Sequence, residues 1–327
     1  MKNATPRRHK SSEITAERQE RCLVLGGNGF IGSHIVDKIA AKNEFKVRVM
    51  DRFDNGPQFH ESPNIEIVKG SAFERKDLVK ALESVQYVVH TLSATNPFTA
   101  DTDPYADIDN LRRSVEVFEA CVHAGVRKIA FVSSGGAVYG SLAEHKVATE
   151  QDIPLPVSPY GICKLATEHY LEYIKRKYGT DYIVYRLSNP YGPRQVFKQG
   201  QGVIPAFLHH IINGEEITIY GDGQSSRDYI YVEDAAQMIA DSLIKPNRHG
   251  VYNLGSGQQT ALNDIVLALE KVLGKEVPVV YQEAPKTALQ KTDISIDRFK
   301  KEFGEPLFTT FHVGLEGTIR HLQREGI

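Results

Sequence analysis

Tyr160 and Lys164 stand four residues apart, soon after two adjacent serines, Ser133 and Ser134, in the stretch FVSSGGAVYGSLAEHKVATEQDIPLPVSPYGICK. If Pro159 opens a helix, where a missing N–H costs nothing, the tyrosine and lysine lie one turn apart on one face. Free tyrosine titrates near pH ~10 and is a poor base at neutral pH. An ammonium about 4 Å away, at an effective dielectric of ~20, favours the phenolate by roughly 4 kcal/mol, or about three pKa units. A phenol brought that close to neutrality transfers protons efficiently. A Tyr and a Lys at this spacing also occur on ordinary surface helices, so the surrounding elements must decide whether the pair does chemistry.

The folded part opens with RCLVLGGNGFIGSHIVDKIA, in which the apolar run Leu23 to Leu25 leads straight into glycines. Gly26, Gly29 and Gly32 are spaced by three, and Ile31, Ile35 and Ile39 recur every fourth residue, a pattern of strand, tight turn and helix. Such glycines let the backbone approach a pyrophosphate, and the helix N-terminus supplies N–H groups and partial positive charge. The next strand alternates Val47 and Val49 with charged residues and ends in Asp51, 19 residues after Gly32. A carboxylate there accepts hydrogen bonds from an adenosine ribose and repels a 2′-phosphate, which favours NAD over NADP, although Arg52 sits beside it.

Short apolar runs at Ile65 to Val68, Val85 to Leu92, Ile129 to Val132 and Tyr182 to Leu187 continue the alternation with helical patterns. The pattern predicts a Rossmann-type, doubly wound parallel α/β sheet. Ile108, Leu111, Val115, Phe118 and Val122 step by three and four up to Gly125, a helix whose apolar stripe is expected to pack on the sheet. From about residue 190 shorter elements follow: a loop entering a helix in GQGVIPAFLHHIING, a Gly-Asp-Gly turn between strands, and a helix over about 261–273. The expected organisation is a polar, disordered extension over 1–20, a dinucleotide-binding domain over 21–190 with part of 228–260, and a smaller α/β substrate domain over 191–327.

Lys and Arg total 39 against 41 Asp and Glu, a net charge of -2, so nothing in the overall charge favours nucleic acid or an anionic membrane. No apolar run is long enough to span a membrane. Cys22, Cys121 and Cys163 lack metal-ligand spacing and read as reduced thiols of a cytoplasmic protein, with Cys163 a small packing residue. No metal site is expected.

Taken in order, GGNGFIG, Asp51, the Ser133 to Tyr139 segment, Tyr160-x-x-x-Lys164, RLSNPYGPRQ and GDGQSSRDYIYVEDA resemble the extended short-chain dehydrogenase/reductase family, over roughly residues 21 to 320. Within it the chain is most similar to the NAD-dependent nucleotide-sugar epimerases and dehydratases, in particular to UDP-glucose 4-epimerases. The resemblance implies Tyr160 as acid/base, with Lys164 binding the nicotinamide ribose and lowering the tyrosine's pKa. It puts Phe30 and Ile31 on the pyrophosphate, Asp51 and Arg52 at the adenosine ribose, and Ser71, Ala72, Leu92, Ser93, Asn110 and Ser133 along the cofactor cleft. Asn189, Val203, Arg227 and Lys286 fall on the substrate side, with Asn189 and Arg227 on the nucleotide diphosphate. The outer side of the helix at about 103–124, together with the helix at about 159–178, is the surface expected to form a homodimer.

The chain departs from the family pattern at several positions. The hydroxyl residue expected four before Tyr139 is Gly135, so Ser134 or Ser133 would have to reach the substrate oxygen. Gly136 and Ala137 replace the Asp-Glu pair of the 4,6-dehydratases, which leaves no acid and base for eliminating water. Glu283 and Lys286 reverse the charges of two nucleotide contacts, and Ser71 with Ala72 stands where an acid often lies near the adenine. The implied activity is C4 epimerisation of a nucleotide-hexose through a 4-keto-sugar. The alternatives are a nucleotide 4-keto-sugar reductase and a non-catalytic dinucleotide-binding protein.

Overall fold

The apolar runs pair side by side as parallel strands. The computed structural model describes residues 19–95, 103–140, 146–197, 202–283 and 291–326. In it β1 (Glu20–Leu25), β2 (Phe45–Asp51), β3 (Ile65–Lys69), β4 (Tyr87–His90), β5 (Lys128–Ser134), β7 (Asp181–Leu187) and β11 (Val251–Leu254) form one sheet in the order β11-β7-β5-β4-β1-β2-β3. Every neighbouring pair is parallel. The inner strands are mostly buried on both faces, with successive residues serving opposite cores, whereas the edge strand β3 is half-buried or exposed. Cys22 and Val24 join one core, while Leu23 and Leu25 join the other.

On the first face lie α1 (Phe30–Ala41) and α7 (Val232–Ser242), packed against each other. On the second lie α2 (Arg75–Ala81), α3 (Pro104–His123) and α5 (Pro159–Tyr178). Helix α3 is rotated from the expected stripe: Asp107, Ser114, Val117, Phe118 and Cys121 are buried, and Ile108 is exposed. Its predicted stripe mixed this face with the one turned toward solvent, because residues three and four apart can be read along either side.

The five-residue helix α4 (Gly135–Tyr139) follows β5 directly. The short strands β6 (Val147–Ala148), before β7, and β8 (Asn189–Tyr191), β10 (Ser226–Tyr231), β12 (Gln259–Ala261) and β14 (Lys291–Ile294), after it, make a second, mixed sheet, and β9 (Ile217–Tyr220) pairs with β13 (Val279–Gln282). A separate apolar cluster joins Phe207 of α6 (Val203–Ile212), Ile217, Leu269 of α8 (Leu262–Leu273) and Leu315 of α10 (Phe311–Arg324). The remaining helix, α9 (Asp297–Phe303), packs beside β11. Glu20, which the sequence assigned to the N-terminal extension, already belongs to β1; residues 1–18 lie outside the described residues.

Two buried histidines tie the first layers together. His34 of α1 places Nε2 3.0 Å from the Pro193 carbonyl. His90, at the end of β4, accepts from the Leu92 N–H at Nδ1, so its Nε2–H donates to Ser114 Oγ on α3. Burial is the main cause lowering both rings, to about 4 and about 3 respectively. Their ordinary value is near 6.5, so on acidification the unfolded chain takes up protons that the folded chain refuses. Stability should therefore fall as the pH drops below 6.5, by up to about 2.7 kcal/mol per pH unit for two protons. Denaturant titrations at several pH values below neutrality measure that slope, and His90→Phe should remove about half of it.

Candidate active site

The turn from β1 into α1 is built for an anion. Gly29 caps α1 without a side-chain hydrogen bond, and the first turn carries no acid, so the N–H groups of Phe30 and Ile31 face outward from a positive helix end. A Cβ on Gly32 would lie 2.2 Å from the Gly26 carbonyl oxygen, so only glycine lets the helix seat this closely. Asp51, at the end of β2, accepts from the Asn28 N–H at 3.0 Å and from the Arg52 N–H at 2.8 Å, which holds its carboxylate beside the turn. The Arg52 side chain is exposed and pairs with Asp54. Uncapped donors, a cradle that a Cβ would fill and a fixed acid one strand away together fit a dinucleotide.

The other predicted cleft residues lie at the ends of β3 and β4. The Ser71 N–H donates to Asp77 Oδ2 at 3.2 Å, so an acid does reach this corner, from α2, while Ala72 is buried. Thr91 Oγ1 donates to the Leu25 carbonyl at 2.8 Å, closing β4 over the glycine turn. Leu92, Ser93 and Asn110 line a small cleft together with Asp107, Tyr160 and Lys164.

Helix α5 starts as its sequence directs, with Pro159 in the first turn and Ser158 Oγ accepting from the Gly161 N–H. Gly161 is required there, since a Cβ would lie 2.3 Å from the Ala137 carbonyl oxygen of α4. Tyr160, Lys164 and Glu168 follow at intervals of four, on one stripe facing β5 and β7. Glu168 is the anchor: Arg186 of β7 donates from Nε at 3.1 Å and from Nη2 at 2.7 Å to Oε2, and Ser133 Oγ donates to Oε1 at 2.6 Å. All three residues are buried. The Arg186 guanidinium also lies over the Tyr139 ring at 4.8 Å.

The expected electrostatics of the pair are reversed in the protein without ligands. Lys164 Nζ donates to the Val132 carbonyl at 3.2 Å and lies 4.7 Å from the centre of the Phe131 ring, with the Tyr160 ring centre 5.6 Å away. Burial lowers the Lys164 ammonium to about 8, against the supporting charges of Glu168 and Asp107. The Tyr160 phenol is pushed well above its ordinary value, by burial first and then by Asp107. The phenol is an acid here because dehydration disfavours the phenolate and the ammonium lies against ring faces rather than at the hydroxyl.

Of the two serines, Ser133 is engaged by Glu168, and Ser134 caps α4 by accepting from the Ala137 N–H. A side chain at Gly135 would be tightly packed, its Cβ 3.0 Å from Ile294 Cδ1 and 3.3 Å from the Arg186 carbonyl oxygen, so Ile294 would have to give way to one. On the opposite side of the site, the pairing of β8 with β10 sets Asn189 opposite Tyr229, two residues from Arg227. Asn189 Nδ2 donates to the Asp228 carbonyl at 2.9 Å, and Arg227 donates to the Ser226 carbonyl at 2.8 Å. Val203 opens α6, Glu283 is exposed, and Lys286 lies outside the described residues. No group of three or more His, Cys, Asp or Glu among the described residues could hold a metal, and no helix among them is long and apolar enough to cross a membrane.

A parallel sheet with a glycine-lined helix N-terminus at one strand end and a Tyr-Lys stripe two strands away defines a nicotinamide-dinucleotide enzyme of the short-chain dehydrogenase type. Residues 22–255 match the NAD dependent epimerase/dehydratase family, and the chain belongs to it. The chain is similar to the crystal structure of a UDP-glucose 4-epimerase with UDP-glucose from Thermotoga maritima, at 32% identity and a TM-score of 0.85, covering 94% of this chain and 100% of that one. It is similar to the Thermus thermophilus UDP-glucose 4-epimerase complex with NAD, at 30% identity and a TM-score of 0.84, covering 93% and 99%. The dTDP-4-dehydro-6-deoxyglucose reductase of Escherichia coli is 30% identical over 315 residues, 94% of this chain and 98% of that protein.

Asp77, His90, Asp107, Glu168 and Arg186 were not singled out from the sequence, and only Glu168 carried a local signal, as the third member of the Tyr160 stripe. Removing one partner of a buried ion pair leaves the other charge unpaired, so Glu168→Ala should destabilise by about 3–5 kcal/mol. Replacing both partners by apolar residues, Glu168→Leu with Arg186→Met, should recover much of that loss in denaturant titrations.

Proposed function

We propose that this protein interconverts the C4 epimers of a UDP-linked hexose, with NAD as its resident cofactor. The observation that carries this reading is the Tyr160–Lys164 stripe beside a dinucleotide turn, followed across α4 by Gly135, Gly136 and Ala137 in place of the carboxyl pair that elimination of water needs. The 4-epimerase names of the relatives support it. Bound NAD supplies the hydride acceptor and donor.

The chain's own part is binding, orientation and proton handling. Asn189 and Arg227 hold the diphosphate, as an amide donor and a cation should. Tyr160 Oη takes the proton of the sugar 4-hydroxyl and later returns it to the same oxygen when the other face of the keto-sugar is presented. Burial and Asp107 raise the phenol above its ordinary value, so Tyr160 must first release its own proton to solvent before it can act as base. Lys164 is the charge available for this, one turn away on the same stripe and able to turn from the Val132 carbonyl toward the hydroxyl. Ser134 is the hydroxyl left to assist.

Tyr160→Phe should lower turnover on the order of 10²- to 10⁴-fold while UDP-glucose still binds. Conversion of UDP-glucose to UDP-galactose, followed by NMR, reads the activity, and near-parental turnover in that variant would refute the assignment. Steady NADH consumption with a nucleotide 4-keto-sugar, and no interconversion of UDP-hexoses, would instead make the protein a reductase like its Escherichia coli relative.

The active form is a homodimer of cytoplasmic protein. Tyr105 and Ile108 on α3 and Ile162, Tyr170 and Tyr173 on α5 are exposed apolar or aromatic residues on two helices packed side by side. A second copy would cover that surface. The three free cysteines suit a reducing compartment. Light scattering should give a dimer for the parent and a monomer for Ile108→Lys combined with Ile162→Glu.

A further inference from the structure

The strand order places each end of the dinucleotide. Its pyrophosphate belongs at the N-terminus of α1, after β1, and its adenosine ribose at Asp51, after β2, on one side of β1. The second half of the molecule therefore extends to the other side of β1, past the end of β4 toward β5. The cleft between α3 and α5 lies there, lined by Leu92, Asn110, Asp107, Tyr160 and Lys164.

Asp107 is 2% exposed. Its Oδ1 accepts from Thr95 Oγ1 at 2.5 Å, Thr95 Oγ1 accepts from Asn110 Nδ2 at 2.9 Å, and Asn110 Oδ1 accepts from the Ala94 N–H at 3.2 Å. These bonds lock the carboxylate to the segment that follows β4. Its second oxygen, Oδ2, is buried and has no hydrogen-bond partner among the described residues. A buried carboxylate oxygen left unpaired is costly, and native proteins rarely keep one without a use. Lys164 offers only donors in the same cleft, whereas a ribose diol needs an acceptor for its hydroxyl hydrogens as well.

We propose that Asp107 is an additional cofactor-binding residue, its Oδ2 accepting a hydrogen bond from a hydroxyl of the nicotinamide-side ribose. The inference rests on the family's use of NAD and not on the sugar or the reaction. It makes one cofactor contact depend on helix α3, which the glycine turn and the Tyr-Lys stripe do not involve.

Asp107→Asn keeps a carbonyl to accept from Thr95 and replaces Oδ2 by an amino group that cannot accept. Calorimetric titration of the nucleotide-free protein with NAD, ADP-ribose and ADP tests the assignment, because ADP carries the adenosine and both phosphates but no second ribose. NAD and ADP-ribose should bind about tenfold or more weakly to the variant. ADP should bind within about twofold of the parent. Unchanged NAD binding would overturn the proposal. Equal weakening of all three ligands would show a merely structural role and overturn it too. Weakening of NAD with ADP-ribose unaffected would move the contact to the nicotinamide and overturn the ribose assignment. Thermal unfolding without ligand should show the variant no less stable than the parent, so that weaker binding is not the result of a damaged fold.

Discussion

Glu168 and Arg186 bind each other where water cannot reach, and the geometry of the site depends on that pair. A buried carboxylate and guanidinium tolerate little displacement, because each is costly without the other. Glu168 lies on the same stripe of α5 as Tyr160 and Lys164, so fixing it to β7 through Arg186 and to β5 through Ser133 fixes the rotation and height of the whole helix. The constraint continues beneath the site. Tyr139 lies under the Arg186 guanidinium and donates to Asn253 Oδ1, the Asn253 N–H donates to Glu150, and Glu150 pairs with Arg298. Helix α5, and Tyr160 with it, is thus held by the central sheet.

That rigidity shapes the electrostatics. Tyr160 and Lys164 are half-buried, and the partial loss of water favours phenol over phenolate and amine over ammonium. The simple expectation, that a lysine one turn away turns tyrosine into a base, treats the two charges as if the helix were alone in a uniform medium. In the folded chain the lysine points at a carbonyl and an aromatic ring, and Asp107 adds a negative charge to the phenol's surroundings. The phenol's acidity is therefore set here by burial and by Asp107 rather than by the lysine.

Much of the fold was legible because its signals are local. Glycines at Gly26, Gly29 and Gly32, an apolar run before them and Asp51 after the next strand describe a βαβ unit without knowledge of anything else in the chain. Pro159 after Ser158 marks the start of α5 in the same way. The unread parts are contacts between elements distant in sequence. Ser133 was taken as a possible catalytic hydroxyl, yet its partner Glu168 is 35 residues away. Arg186 looked like any charged residue in a strand, and His90 like a strand end. Asp77, seven residues beyond the Gly70 that closes β3, brings an acid to the corner where Ser71 and Ala72 showed none. Helix α3 was placed correctly in the sequence but rotated, because its periodicity supports two faces and the sheet chooses one.

Ile294 occupies the space that a side chain at Gly135 would need, and it packs with Val138, Tyr139 and Ala148 in a small cluster of its own. It comes from β14, well beyond residue 255, where the family match ends. The corner beside Gly135 is therefore closed by a strand that lies near the end of the chain. A chain ending at residue 255 would keep the glycine turn and Asp51 but lose the strand that packs against Gly135.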